Sequence, residues 1–180
     1  RPAFSDTSLA DFSIAYAGNM VGVAITTDGR CGLDMELQHA TRNFHHPQSH
    51  RDHHFPSNET IWINNQSDPH EAGAQLITLR QSVLKLCGRC NDDTRSLQLL
   101  PGSGRLRLAG EPEVEALCDA EEILIWAVAV TPAIEHITLW EYDTQTGWRS
   151  LSDELKQRKP ADTRIMRFTS LPPEKALIAN

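Results

Sequence analysis

The sequence predicts an α+β domain, a sheet with one long helix packed against it. Three observations carry this. Apolar, β-branched runs fill residues 11–37, two helix starts lie between residues 57 and 71, and strand-like runs return after residue 95. Strands, then helices, then strands argue for segregated elements; a doubly wound sheet would alternate strand and helix throughout.

The elements follow in order. "FSIAYA" and "MVGVAITT" read as strands separated by the turn pair Gly18-Asn19, and "TDGR" turns the chain into "CGLDMEL". Residues 38–56 are polar and rich in histidine, with His45, His46, His50, His53 and His54, and read as a loop. Ser57 is expected to cap a short helix, "NETIWIN", with Glu59 in its first turn. A stronger start follows: Asp68 as N-cap, Pro69 as first helical residue and Glu71 at the capping-box position. This helix should run to Lys85 or Leu86, with Gly88 just past its end. Ala72, Leu76, Leu79, Val83 and Leu86 mark its buried stripe, while Gln81 and Lys85, four apart, neighbour one another at the stripe's edge. Short strands are expected around "PGSG", a buried strand over "ILIWAVAVT" and an edge strand over "ITLWEYD". Arg105 and Arg107 alternate with Leu106 and Leu108 as one outward strand face. The polar, proline-containing tail from residue 150 carries no strong element signal.

The 180 residues suffice for one domain, or two small subdomains, with a real core. A net charge of −7 offers no basic stripe for nucleic acid or a membrane surface, and no apolar run approaches the roughly 18 residues that span a bilayer. Cys31, Cys87, Cys90 and Cys118 are too sparse and uneven for a disulfide framework, so a reducing cytoplasm is expected. The chain opens on Arg1, so the absence of a secretory signal carries little weight.

"GLDMEL" holds the chemistry. Leu33, Met35 and Leu37 share one parity; Asp34 and Glu36 share the other, on one side of a strand. Two readings are open: a solvated outer face opposite a packed one, or two oxygen ligands aimed at a cation such as Mg²⁺.

Several ordered pieces resemble the Sfp/AcpS-type 4′-phosphopantetheinyl transferases, and most closely their YieE-like branch. "RPAF" resembles the family's G-K-P-x-F segment, and "FSIAYAGNMVGVAITT" its strand–turn–strand around S-H-S-G. "CGLDME" resembles G-x-D-I-E, "FPSNE" the F-S-x-x-E helix start, and "ITLRQSVLKLCG" the segment W-x-x-K-E-A-x-x-K-x-x-G. "ILIWAVAV" resembles the late strand of the second half.

The resemblance implies a fold of two similar α+β halves about a pseudo-twofold, each an antiparallel sheet with one long packed helix. It implies coenzyme A in the cleft between them, Mg²⁺ on its pyrophosphate, and a carrier-protein serine that receives the phosphopantetheine arm. Residues 1–32 would then close the first half, 33–150 form the second, and 151–180 a C-terminal tail. Because Arg1 matches the middle of a full-length member, this segment is expected to pair with itself as a homodimer.

Residue by residue, Asp34 and Glu36 fall on the two metal-binding acids and Gln81 on the third. Arg80 falls on the preceding Lys, and Lys85 on the second Lys, which faces the phosphates. Tyr16 and Arg1 fall on positions that contact the 3′-phosphate, and Glu59 on an acid that orients or deprotonates the attacking hydroxyl. Three departures bear on activity: Tyr16 for His, Gln81 for Glu and Ile77 for Trp. Arg1 for Lys keeps a phosphate-binding cation, whereas Tyr16 lacks a charge and Gln81 cannot act as a base. They imply a weakened or specialised transferase, or a non-catalytic module that still binds coenzyme A or a carrier protein.

Other signals read as structural. "CGRC" lies at the C-terminal end of its helix, the wrong pole for lowering a thiol pKa. "HHPQSHRDHH" lacks fixed spacing and reads as a solvated loop more readily than a transition-metal site. Trp126 and Trp140 read as core and edge residues.

Overall fold

The computed structural model describes residues 2–6, 8–38, 54–88, 96–111, 113–134, 136–151 and 165–172. The described elements are β1 (Asp11–Ala17), β2 (Met20–Thr26), β3 (Arg30–Leu37), α1 (Ser57–Asn64), α2 (Pro69–Leu86), β4 (Leu97–Leu100), β5 (Arg105–Leu108), β6 (Glu115–Ala120), β7 (Leu124–Thr131), β8 (Trp140–Asp143), β9 (Gly147–Ser150) and β10 (Met166–Thr169). β3, β7, β6, β10, β5 and β4 form a six-stranded sheet in that order. Every pairing is antiparallel but one, β10 with β5. β1–β2 and β8–β9 are separate hairpins. The protein is α+β with mostly antiparallel sheets.

α2 forms where its capping residues place it. The Asp68 carboxylate accepts the Glu71 N–H at 3.0 Å, Pro69 opens the helix, and Gly88 follows its end at φ 67°. The Glu71 side chain accepts from Gln38 Nε2. α1 starts one residue earlier than the cap reading, with Ser57 already helical, because the Pro56 carbonyl accepts the Thr60 N–H at 3.0 Å. Leu76, Leu79, Val83 and Leu86 of α2 bury against Ile125, Ala127 and Ala129 of β7 and Cys118 of β6. Leu33, Trp126, Val128 and Val130 gather on the opposite sheet face, under the β1–β2 hairpin, where Ala15 joins them.

β3 is an edge strand of the large sheet. Edge N–H groups invite pairing with other chains, and here β1 side chains take two of them. Asp11 Oδ2 accepts from Cys31 N and Ser13 Oγ from Leu33 N, each at 2.9 Å. The boundary drawn after residue 32 falls inside this strand. The hairpin's outer face leaves Tyr16, Val21, Val23 and Ile25 exposed.

Two expectations change. The tail beyond residue 150 supplies β10, an interior strand between β6 and β5 that buries Phe168. Four residues with one buried side chain give no readable period; only pairing with distant strands selects them. "ITLWEYD" yields Trp140–Asp143, exposed at all four positions and paired with β9 instead of joining the large sheet. Leu106 and Leu108 are buried, with Arg107 exposed and Arg105 half-buried, as the alternation implied. Among the described residues, no helix is long and apolar enough to cross a membrane.

Candidate functional site

Strand register bears on the solvated-face reading of the acidic pair. Gly32, Asp34 and Glu36 lie across from Ala129, Ala127 and Ile125 of β7, all three in the core beneath α2. A Cβ at Gly32 would run into Ser82 O and Leu86 N of α2, so only glycine admits the helix this close. Asp34 and Glu36 therefore face α2, and the solvated-face reading is corrected. The alternation misled because both sides of β3 are covered: Cys31, Leu33 and Met35 belong to the hairpin side.

Lys85 reaches β3 from α2. Its ammonium donates to Asp34 Oδ1 at 2.8 Å and to the Leu33 carbonyl at 3.0 Å. The Asp34 side chain is 16% exposed and that of Lys85 31%. Burial pushes the Asp34 carboxyl upward; Lys85 and the Met35 N–H pull it back in part. Burial also pushes up Glu36, and the charge of Asp34 adds to the rise. Glu36 Oε2 is buried with no hydrogen-bond partner among the described residues.

Gln81 sits one turn before Lys85 and is half-buried. β3 and α2 run antiparallel, since Gly32 lies at Leu86, Asp34 at Lys85 and Gln38 at Glu71. Glu36 thus faces the stretch of α2 between Glu71 and Lys85, which contains Gln81. Gln38 and Glu71 form a buried polar contact that the sequence reading missed. Its signal was present: Gln38 extends the parity of Asp34 and Glu36 by one more step.

The remaining candidates are not gathered here. Arg80 is five positions from Lys85, about 140° around the helix. Its guanidinium pairs with Glu59 of α1, whose side chain is fully buried, and the pair ties α1 to α2. In this arrangement Glu59 is closed off from an incoming hydroxyl, which corrects its expected place at the cleft, and Arg80 is engaged before any phosphate arrives. Tyr16 stands on the outer face of β1, 70% exposed, because buried Ala15 and Ala17 take the inward parity. Ile77 is buried in α2, and Trp126 is a core residue. Arg1, Cys90, His45, His46, His50 and His53 lie outside the described residues, and His54 is exposed.

Among the described residues, no three His, Cys, Asp or Glu side chains gather to hold a metal ion. The arrangement nonetheless suits a hard divalent cation. Its donors are oxygens, Asp34 meets one ammonium while Glu36 adds a second carboxylate, and one buried Glu36 oxygen has no partner among the described residues. Asp34 and Glu36 would supply the charge, with the Gln81 amide oxygen as a third donor.

This chain is thus an α+β protein with an acidic pair enclosed between an edge strand and a lysine-bearing helix. It belongs to the YieE family. Two relatives, the "Uncharacterized protein YieE" of Escherichia coli K12 and that of the O6:H1 strain CFT073, are each 58% identical over 181 residues, covering 100% of this chain and 73% of the relative. No family model matches the chain. No solved structure matches it.

The electrostatics make a testable prediction about pH. In the unfolded chain both carboxyls ionise near about 4. In the folded chain their pKa values are raised, so folding favours the protonated forms. Without divalent cation, the contribution of these two groups to stability is fully present below their unfolded values and is lost as pH rises from there through the folded ones. Glu36→Gln should flatten that decline and raise the metal-free melting temperature near neutrality. Thermal melts across pH check it; an unchanged slope would show that Glu36 is not desolvated.

Proposed function

We propose that the protein transfers the 4′-phosphopantetheine arm of coenzyme A to a serine of an acyl- or peptidyl-carrier protein, with Mg²⁺ as cofactor: the serine hydroxyl bonds to the β-phosphorus, the pyrophosphate bridge breaks, and adenosine 3′,5′-bisphosphate leaves. The observation that carries this is the inward-facing Asp34/Glu36 pair against Lys85, with a buried Glu36 oxygen left unpartnered. Such a site suits a divalent cation shared with a polyphosphate. Mg²⁺ held by Asp34, Glu36 and Gln81 would neutralise pyrophosphate charge. Lys85 would meet the anionic oxygens, and Glu59 fixes Arg80 instead of acting as base. Coenzyme A and the carrier come from the motif resemblance, to which the enclosed acids lend support. The test mixes the protein with apo-carrier, coenzyme A and Mg²⁺ and weighs the carrier. Gain of the phosphopantetheine mass supports the reading, and an unmodified carrier across carrier types opposes it.

A second reading, a non-catalytic module that binds coenzyme A or a carrier, is favoured by one observation: Glu59 is buried under Arg80. Gln81→Glu separates the two. A third carboxylate should tighten Mg²⁺ binding, since ligand charge tunes such affinities, and should raise the transfer rate. It should also make melting more Mg²⁺-dependent, because three close carboxylates repel without metal. If Mg²⁺ affinity and melting are both unchanged, Gln81 does not face the cation. If affinity rises and no transfer occurs, the binding-module reading stands.

A further inference from the structure

Lys85 is seated on β3 by two bonds, one to the Asp34 carboxylate and one to a main-chain carbonyl. Its ammonium is the one cation in contact with Asp34 among the described residues. Resting on the metal-site reading above, we propose that Lys85 is a built-in surrogate cation. It holds the site closed until a divalent cation displaces it from Asp34 and turns its ammonium outward.

The chemistry follows from what each partner leaves unsatisfied. One ammonium at Asp34 compensates one carboxylate, while half-buried Glu36 keeps one buried oxygen without a partner among the described residues. A divalent cation can serve both carboxylates, so it has an advantage over Lys85 that grows with the charge of the second acid. The same exchange breaks the Lys85–Asp34 hydrogen bond. Lys85 is 31% exposed, and its four-carbon stem lets the ammonium pivot to solvent without moving α2. The carboxylates thus link two events: metal enters, and a positive charge becomes available for an anion at the same edge. Strong anion binding by Lys85 would therefore require the metal, although Lys85 is itself the cation that meets the anion.

The test has two arms, neither of which reads activity. The first is amine footprinting of the wild-type protein with acetic anhydride, read by mass spectrometry with and without Mg²⁺. Lys85 precedes every other lysine of the chain, and Lys156, Lys159 and Lys175 serve as internal references. Lys85 acetylation, normalised to those three, should rise several-fold on adding Mg²⁺. The second arm is calorimetric titration of Mg²⁺ into wild type and Lys85→Met, where removal of the competitor should tighten binding by about tenfold. Binding to the variant alone overturns the proposal, because Mg²⁺ then does not displace Lys85 in the wild-type protein. Mg²⁺ binding to wild type with unchanged or lowered Lys85 acetylation overturns the proposal and leaves the metal site standing. Absence of binding to both proteins overturns the proposal and the metal site together. The footprint needs no variant, so a Lys85→Met chain that fails to fold leaves the question decidable.

Discussion

Asp34→Ala is expected to abolish Mg²⁺-dependent binding of coenzyme A. Asp34 is the site's most connected acid: it contacts Lys85, and its charge raises the pKa of Glu36. In the proposed metal site, its loss would leave one carboxylate and an amide, too little negative charge to strip water from a strongly hydrated cation. The fold should survive. The substitution removes a desolvated carboxylate, and Lys85 keeps its bond to the Leu33 carbonyl. Calorimetry on both proteins, with and without Mg²⁺, measures the effect. Equal coenzyme A affinity in the two would remove Asp34 from the site, and a variant that binds metal normally would place the cation elsewhere.

Phe168→Ala should be the most damaging core substitution outside α2. Phe168 is 2% exposed and is the buried anchor of β10, which bridges β6 to β5. Truncating a buried Phe costs about 3–5 kcal/mol, a large fraction of a typical domain stability of about 5–15 kcal/mol. Without the anchor, β5 and β4 are joined to the sheet only through a weakened four-residue strand. Chemical denaturation should show the loss, with hydrogen exchange rising first in β4 and β5. A loss below about 1 kcal/mol would mean that the sheet closes without β10.

Much of this protein can be read from the chain alone. Asp68, Pro69, Glu71 and Gly88 delimit α2, because caps and turn residues act within a few bonds. The stripe from Ala72 to Leu86 marks its buried face, and β1, β2, β3 and β7 follow from runs long enough to show their content. Parity also places Asp34 and Glu36 on one side of β3 regardless of what covers them. The cover itself is a tertiary property. A strand period of two distinguishes two faces without naming either, and only the register with β7, together with the glycine at position 32 that admits α2, turns the acids inward. The Glu59–Arg80 pair, the Gln38–Glu71 contact and the seat of Lys85 on β3 join residues 21, 33 and 51 positions apart. Local sequence marks at most one side of such contacts, as the parity of Gln38 with Asp34 and Glu36 does, and leaves the partner to the tertiary structure. β10 is the extreme case: four residues become an interior strand because two neighbouring strands present open edges that a short segment with one phenylalanine can fill.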